Sequence, residues 1–301
     1  MNYELYHDES LEGGFWHGML LVPISVKTEL ITCLDEVRRN RSIFHPISFK
    51  NIKEKKRVYD CADSWIQTAI GFLRSDAKGI PQPIFLGKYR NGYKFYEFLP
   101  TNYVGAKFIL FCERDNHKTM KYFSDHASKI ETTFRIGLKG GLHYLGNDEE
   151  PIHITKMHFD GYEHYKRHLD KTRIVDRMNG LREYCSVSND KDIIDDRSSD
   201  HRMSNSQDYM DCQLIQLTDL LIGCWRSILG KSTRIVHKEL SKPMVAIFHR
   251  YREGYTRMQN SRWRNSICLS RCFLEDGKWK FENIEYENSK TLQMSLPIIY
   301  N

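Results

Sequence analysis

The segment Gln213-Leu-Ile-Gln-Leu-Thr-Asp-Leu-Leu-Ile-Gly-Cys-Trp225 constrains the fold more than any other stretch of the chain. On a helical wheel at 100° per residue, with Leu214 at zero, its eight apolar residues sweep from about 240° through zero to about 100°. Gln216, Asp219 and Gly223 share a narrow wedge near 140° to 200°. Such a helix, read over residues 212–229, needs apolar partners around most of its circumference. Solvent-facing wedges usually carry Lys and Glu. Here a Gln and an Asp stand three apart, and the Gly one turn later lets another chain or a ligand approach closely.

The partners alternate between strand and helix. Residues 3–9 and 15–24 read as strands joined by the turn Ser10-Leu-Glu-Gly-Gly14, a hairpin. Residues 28–39, with Thr28 as N-cap, and 57–73 show helical spacing of apolar residues. A Gly-, Pro-, Lys- and Tyr-rich excursion over 75–103 holds a short hairpin at Asn91-Gly92, and 106–112 is an apolar strand. Residues 118–145 read as a helix that Gly137, Gly140 and Gly141 weaken by about 1 kcal/mol each, which sets a stop near Lys139. A strand at 151–160, a charged helix at 162–184, a short strand near Ile193-Ile194, the 212–229 helix, a helix at 242–258 and one or two strands around the Glu275-Asp-Gly-Lys turn complete the order. This predicts an α/β fold, with α+β as the alternative: an open mixed sheet with helices packed on it.

Composition excludes several classes. With 40% hydrophobic and 28% charged residues, 8 prolines and 18 glycines in 301, the chain is not collagen-like, mucin-like or mostly disordered. Glu4, Asp8 and Glu9 stand where a secretory leader needs a basic and then an apolar stretch, so a cytoplasmic location is expected. The longest apolar runs are about six residues, against roughly twenty for a membrane span. Eight cysteines without a C-x-x-C pair read as reduced thiols packed as small hydrophobes, which argues against a structural zinc site.

Three acidic positions fall at element ends or on the unusual helix. Asp8-Glu9 ends the first strand, Asp160 closes the 153–159 strand before Gly161, and Asp219 sits in the polar wedge. Magnesium and manganese take oxygen ligands, and a two-metal phosphoryl-transfer site needs carboxylates converging from separate elements on ions about 3.5–4 Å apart. Two neighbouring strand ends and one helix can supply that arrangement.

The segments Tyr6-His-Asp-Glu-Ser10 and Gln213-Leu-Ile-Gln-Leu-Thr-Asp-Leu-Leu-Ile-Gly223 resemble the two signature motifs of the domain of unknown function 3800 family, an Asp-Glu-Ser-Gly strand end and a Leu-Gln-Leu-Ala-Asp-Leu helix. Ile47-Ser-Phe-Lys50 resembles the family's Phe-Lys-type segment, and Asp160 takes the place of its mid-chain strand-end Asp. Leu11 and Thr218 stand where the family has Gly and Ala, and the acidic segment 190–211 is longer than usual. The resemblance covers about 1–230, leaving 231–301 as a basic C-terminal extension. It implies a ribonuclease H-like fold and a metal-dependent nuclease, from bacterial defence or mobile loci, using Mg²⁺ or Mn²⁺. Its catalytic carboxylates would be Asp8, Glu9, Asp160 and Asp219, with Asp8, Asp160 and Asp219 holding metal and Gln216 orienting water or phosphate. Asp195, Asp196 and Asp200 stay open as further ligands or as a solvated loop.

Other constellations carry less. Glu163-His164 with His168 has the wrong order for a helical zinc motif and reads as a charged solvated face. His7, His17, His153 and His158 would lie near the carboxylates if their strands pair, where one would serve as general base. Glycine-rich phosphate loops, nucleophile elbows and Cys/His protease patterns are missing.

The formal charge is only +6, but 226–271 holds eleven Lys and Arg against two Glu, a local +9 that leaves the rest at −3. Phe248, Tyr251, Tyr255 and Trp263 interleave with these cations, a mixture suited to nucleic-acid backbones and bases, so Arg250, Arg252 and Arg257 are candidate RNA or DNA contacts. An amphipathic helix with arginines in water is the plainer reading of the same residues. The rival to a nuclease is a catalytically silent module that binds nucleic acid or a protein partner in a defence complex.

Overall fold

The computed structural model describes residues 1–53, 57–73, 83–89, 92–98, 105–114, 120–160, 170–190, 193–200, 206–256, 266–276 and 278–284, with only the backbone of 83–89, 92–98, 206–208 and 246–256. In chain order the elements are β1 (Asn2–Ser10), β2 (Phe15–Pro23), α1 (Ile24–Asn40), α2 (Arg57–Leu73), β3 (Pro83–Tyr89), β4 (Gly92–Phe98), β5 (Lys107–Glu113), α3 (His126–Leu145), β6 (Ile152–Asp160), α4 (Lys171–Asp176), β7 (Cys185–Val187), β8 (Ile194–Arg197), α5 (Ser206–Ile228), α6 (Ile235–Thr256), β9 (Ile267–Glu275) and β10 (Lys278–Asn283).

Eight strands form one mixed sheet in the order β10-β9-β5-β2-β1-β6-β7, with β8 also on β6, while β3 and β4 pair as a separate hairpin. The β1–β2 and β2–β5 pairings are antiparallel, whereas β1–β6, β6–β7, β6–β8 and β5–β9 are parallel. The first hairpin follows its sequence: Gly13 and Gly14 supply positive φ values of 70° and 144° at the turn. Strand alternation divides the core between the two faces. Tyr6, Leu20, Phe108 and Leu110 pack with residues of α1, α2, α5 and α6; Tyr3, Leu5, Met19 and Ile109 pack with Ile130, Phe134 and Leu138 of α3.

Several boundaries differ from expectation, among them the starts of α5 at Ser206 and of α6 at Ile235, before the expected 212 and 242. Helix α1 starts at Ile24 directly after Pro23, whose fixed φ of −60° ends β2, so Thr28 lies inside the helix instead of capping it. Helix α3 starts at His126, capped by Asp125 accepting from Ser128 N–H at 2.7 Å, and runs through its glycines to Leu145. Those glycines seat the helix on β5: a Cβ would come 2.6 Å from Phe111 at Gly137 and 2.4 Å from Ile109 at Gly141. Of the charged 162–184 stretch, 162–169 lie outside the described residues, and among the described ones Lys171–Asp176 is helical, with Ile174 its buried residue. The break expected at residue 230 does not divide the fold. Leu240, Met244, Ile267 and Leu269 enter the main core, and β9 aligns Ile267 with Phe108 of β5, so β9 and β10 belong to the same sheet as the strands before residue 230.

Candidate functional site

The site builds up from the middle of the sheet. Asp8 pairs across the hairpin with Gly18, and a Cβ on Gly18 would lie 2.3 Å from Ile222 and 3.2 Å from Thr218 of α5. Helix α5 therefore crosses directly over the β2 backbone here. Directly opposed residues share a face, so Asp8 points to the helix that carries Asp219. The parallel β1–β6 register aligns Tyr6 with His158 and His7 with Phe159, so the next residue, Asp160, closes β6 beside Asp8 and on its face. Asp8 and Asp160 thus close two adjoining strands on one face, and the helix that crosses this face carries Asp219; the three are not among the groups whose ligating atoms lie within 4.8 Å of one another.

Residues 43–53 cover the polar wedge of α5. Ile47 N–H donates to Gln216 Oε1 at 3.0 Å, and Phe49 N–H donates to Asp219 Oδ2 at 2.7 Å. The Phe49 ring lies on Gly223, where a Cβ would come within 2.1 Å of it. The close approach that Gly223 permits is therefore used by this chain itself. Gln216 is 1% exposed; it also accepts from Arg38 Nη2 at 2.7 Å and donates to the Ser199 carbonyl. Its expected role toward water or phosphate gives way to a structural one, because its amide is committed to three protein partners. Burial raises the Asp219 carboxyl above its ordinary value, against the Phe49 and Ser48 hydrogen bonds and the charges of Lys50 and Arg226. Arg226, two turns further on, donates to Ser10 Oγ at 2.8 Å and Glu12 at 2.6 Å.

Glu9 departs from the expected set. As the neighbour of Asp8 on a strand it points to the opposite face, with His7 and cross-strand His17, away from Asp219. Of the four histidines, His158 shares the carboxylate face, stacked on Tyr6 at 4.6 Å, while His153 contacts Ser186 on β7.

Among the described residues, two groups bring three ligating atoms within 4.8 Å of one another, Glu4/His158/Asp211 and His7/Glu9/His17. The first is already filled by a cation: Lys27 Nζ lies 2.7 Å from both Glu4 Oε2 and Asp211 Oδ1. Tyr6 Oη stands 2.8 Å from Glu4 and 2.9 Å from Asp211, and His158 Nε2 is 2.9 Å from Glu4. Burial works to raise the Glu4 carboxyl, but bonds from His158, Lys27 and Tyr6 and the Lys27 charge outweigh it and bring it from 4.5 to about 2. A carboxylate depressed in the folded state stabilises the fold above its unfolded pKa and loses that contribution as pH falls. Chemical denaturation should show stability on the order of 3 kcal/mol lost between about pH 5 and 2, and Glu4→Gln should flatten that part of the profile.

The acidic segment before α5 is tied up in the same way. Asp195 pairs with Lys156 and Arg197, and Asp196 pairs with Lys171, as surface or half-buried ion pairs. Asp200 lies in the loop, its N–H donating to Ser198 Oγ. In the basic block, Arg226 pairs with Glu12, Lys242 with Glu239 and Arg271 with Glu282, so its charge is spread over several elements. Arg250 and Arg252 belong to α6, of which the backbone is described there, and Arg257 lies outside the described residues. Sequence reasoning missed the Glu4–Lys27–Asp211 network, whose members are 184 or more residues apart for Asp211 and its partners and carry no local signal.

No family model, curated protein or solved structure matches the chain. Among the described residues no helix is long and apolar enough to cross a membrane.

Proposed function

We propose that this chain is a metal-dependent phosphodiesterase acting on RNA or DNA, on a ribonuclease H-like sheet, with Asp8, Asp160 and Asp219 as the ligands for Mg²⁺ or Mn²⁺. One observation carries the reading: these three carboxylate positions come from two adjoining parallel strand ends and the helix packed across them. The donor set fits, since it is all oxygen, the choice of hard divalent cations. A cation bound there would supply charge for a phosphoryl oxygen and a lowered pKa for coordinated water. The mixed sheet, antiparallel at β5-β2-β1 and parallel from β1 to β7, supports the fold assignment.

The protein's own contribution is positioning. Phe49 N–H donates to Asp219 Oδ2 and so fixes its rotamer on α5. Lys50, whose charge already acts on Asp219, is suited to meet a phosphate, whereas Arg226 is held by Ser10 and Glu12. Purified protein given Mn²⁺ and mixed RNA and DNA should cleave one of them, and Asp219→Asn should lower the rate by at least about 100-fold while the variant keeps its circular-dichroism spectrum. Equal cleavage by the variant would remove the site assignment. Nucleic-acid binding without cleavage or Mn²⁺ affinity would favour the silent binding module.

A further inference from the structure

The sheet face turned away from Asp219 carries a second arrangement, which the proposed reaction does not use. On a hairpin, residues i and i+2 of one strand and the residue opposite i+2 form a triangle on one face. His7 and Glu9 of β1 are such a pair, and His17 of β2 stands opposite Glu9. One nitrogen from each imidazole and one oxygen of Glu9 lie within 4.8 Å of one another. Both imidazoles are buried and Glu9 is partly exposed, so the triangle has a dry base and one corner near solvent.

The hydrogen bonds fix the chemistry of this base. Thr133 of α3 donates its only hydroxyl proton to the Lys129 carbonyl at 2.8 Å, so toward His17 its oxygen accepts, from Nε2–H at 2.8 Å. In its neutral form His17 then presents a lone pair at Nδ1, which accepts from His7 Nε2–H at 2.9 Å; a metal bound between the rings takes the place of that proton, with neutral His7 protonated at Nδ1 instead. An imidazole whose far N–H is anchored by a second group, leaving the near nitrogen as a donor of electrons, is the usual state of a metal-binding histidine. Phe134 and Phe159 pack on His7 with centroids 4.9 and 4.5 Å away, and Phe15 packs on His17 at 4.7 Å. That aromatic shell excludes water and strengthens any charge interaction within it.

We propose that His7, Glu9 and His17 form a binding site for zinc, with a fourth position left to water on the Glu9 side. Two imidazoles and one carboxylate are a zinc donor set, with bonds of about 2.0–2.2 Å and hence ligand atoms roughly 3.3 Å apart in a tetrahedron. Rotamer adjustment from a triangle that already lies within 4.8 Å reaches this. Nitrogen ligands favour zinc and an all-oxygen set favours magnesium or manganese, so the two faces of β1 would select different ions.

The test uses the full chain, stripped with chelator and titrated with Zn²⁺ against a chromophoric competitor, with Co²⁺ absorption as a direct reading of tetrahedral ligation. The wild type should bind one zinc equivalent. His17→Gln should weaken it at least about 100-fold and abolish the Co²⁺ bands, and Thr133→Val should weaken it by about 10- to 100-fold. Asp219→Asn should keep full zinc affinity, which separates failure of this site from failure of the carboxylate site. Glu9→Gln, at the partly exposed corner, serves if His17→Gln does not fold. A wild type that retains no zinc, or His17→Gln and Glu9→Gln chains that bind it as the wild type does, would overturn the proposal.

Discussion

Replacing Gly223 by alanine is expected to cost about 3 kcal/mol of stability and to remove the support of Asp219 in the same step. The new Cβ would sit 2.1 Å from Phe49 Cγ, with two further ring atoms at 2.3 and 2.5 Å. Neither partner can yield by so much, because Gly223 is in the middle of a helix buried in the core and Phe49 is itself 5% exposed. The ring must leave, and the loss approaches that of truncating a buried phenylalanine. The Phe49 N–H that Asp219 accepts from is on the same residue, so any cleavage activity should fall with the stability. Urea denaturation of Gly223→Ala, Phe49→Ala and the double variant provides the check. The two sites are in contact, so the double variant should be clearly less destabilised than the sum of the singles. Additive losses would show that the ring and the helix do not meet as described.

The second large effect concerns an ion pair inside the opposite half of the core. Lys129 of α3 and Glu113 of β5 pair at 1% and 0% exposure. A buried pair contributes little net stability against an apolar replacement, since both charges are desolvated, but breaking it strands the survivor. Lys129→Met is therefore expected to cost about 3–5 kcal/mol, and adding Glu113→Leu should recover most of that. The Lys129 ammonium also lies over the Phe15 ring, with Nζ 5.7 Å from its centroid, a contact that methionine keeps only as apolar packing. Denaturation midpoints of the three chains decide the matter: a double variant no better than Lys129→Met would mean that packing, not stranded charge, is what is lost.

Much of the fold could be read locally. The β1–β2 hairpin and α2 fall where period and turn chemistry put them, since each is specified by its own residues. Helix α3 is less legible because its glycines lower helix propensity locally, while their role is tertiary: they let the helix down onto Ile109 and Phe111. Strand β7 is three residues long and held by pairing with Ile152–Ile154, so nothing local announces it.

The candidate site was legible to a similar degree. Asp8 and Asp160 lie at strand ends and Asp219 in the polar wedge of α5, as their sequence positions indicate, while Gln216 and Gly223 answer to the loop at Ile47–Phe49, whose position no spacing reveals. Glu9 was separable in principle, since adjacent residues on a strand face opposite ways, and the same rule applied to the hairpin brings His7, Glu9 and His17 together.

The parallel pairing of β5 with β9 also bears on how the chain is made. Strand β5 ends at Glu113 and its outer neighbour begins at Ile267, about 150 residues later. At about 5–20 residues per second a ribosome needs roughly 8–30 seconds to produce that partner. Until then the Phe108–Phe111 edge has open N–H and C=O groups beside an apolar surface, the combination that recruits neighbouring chains. The nascent protein should accordingly depend on holdase chaperones while residues 114–266 are translated, and a truncation just before β9 should aggregate where the full chain does not.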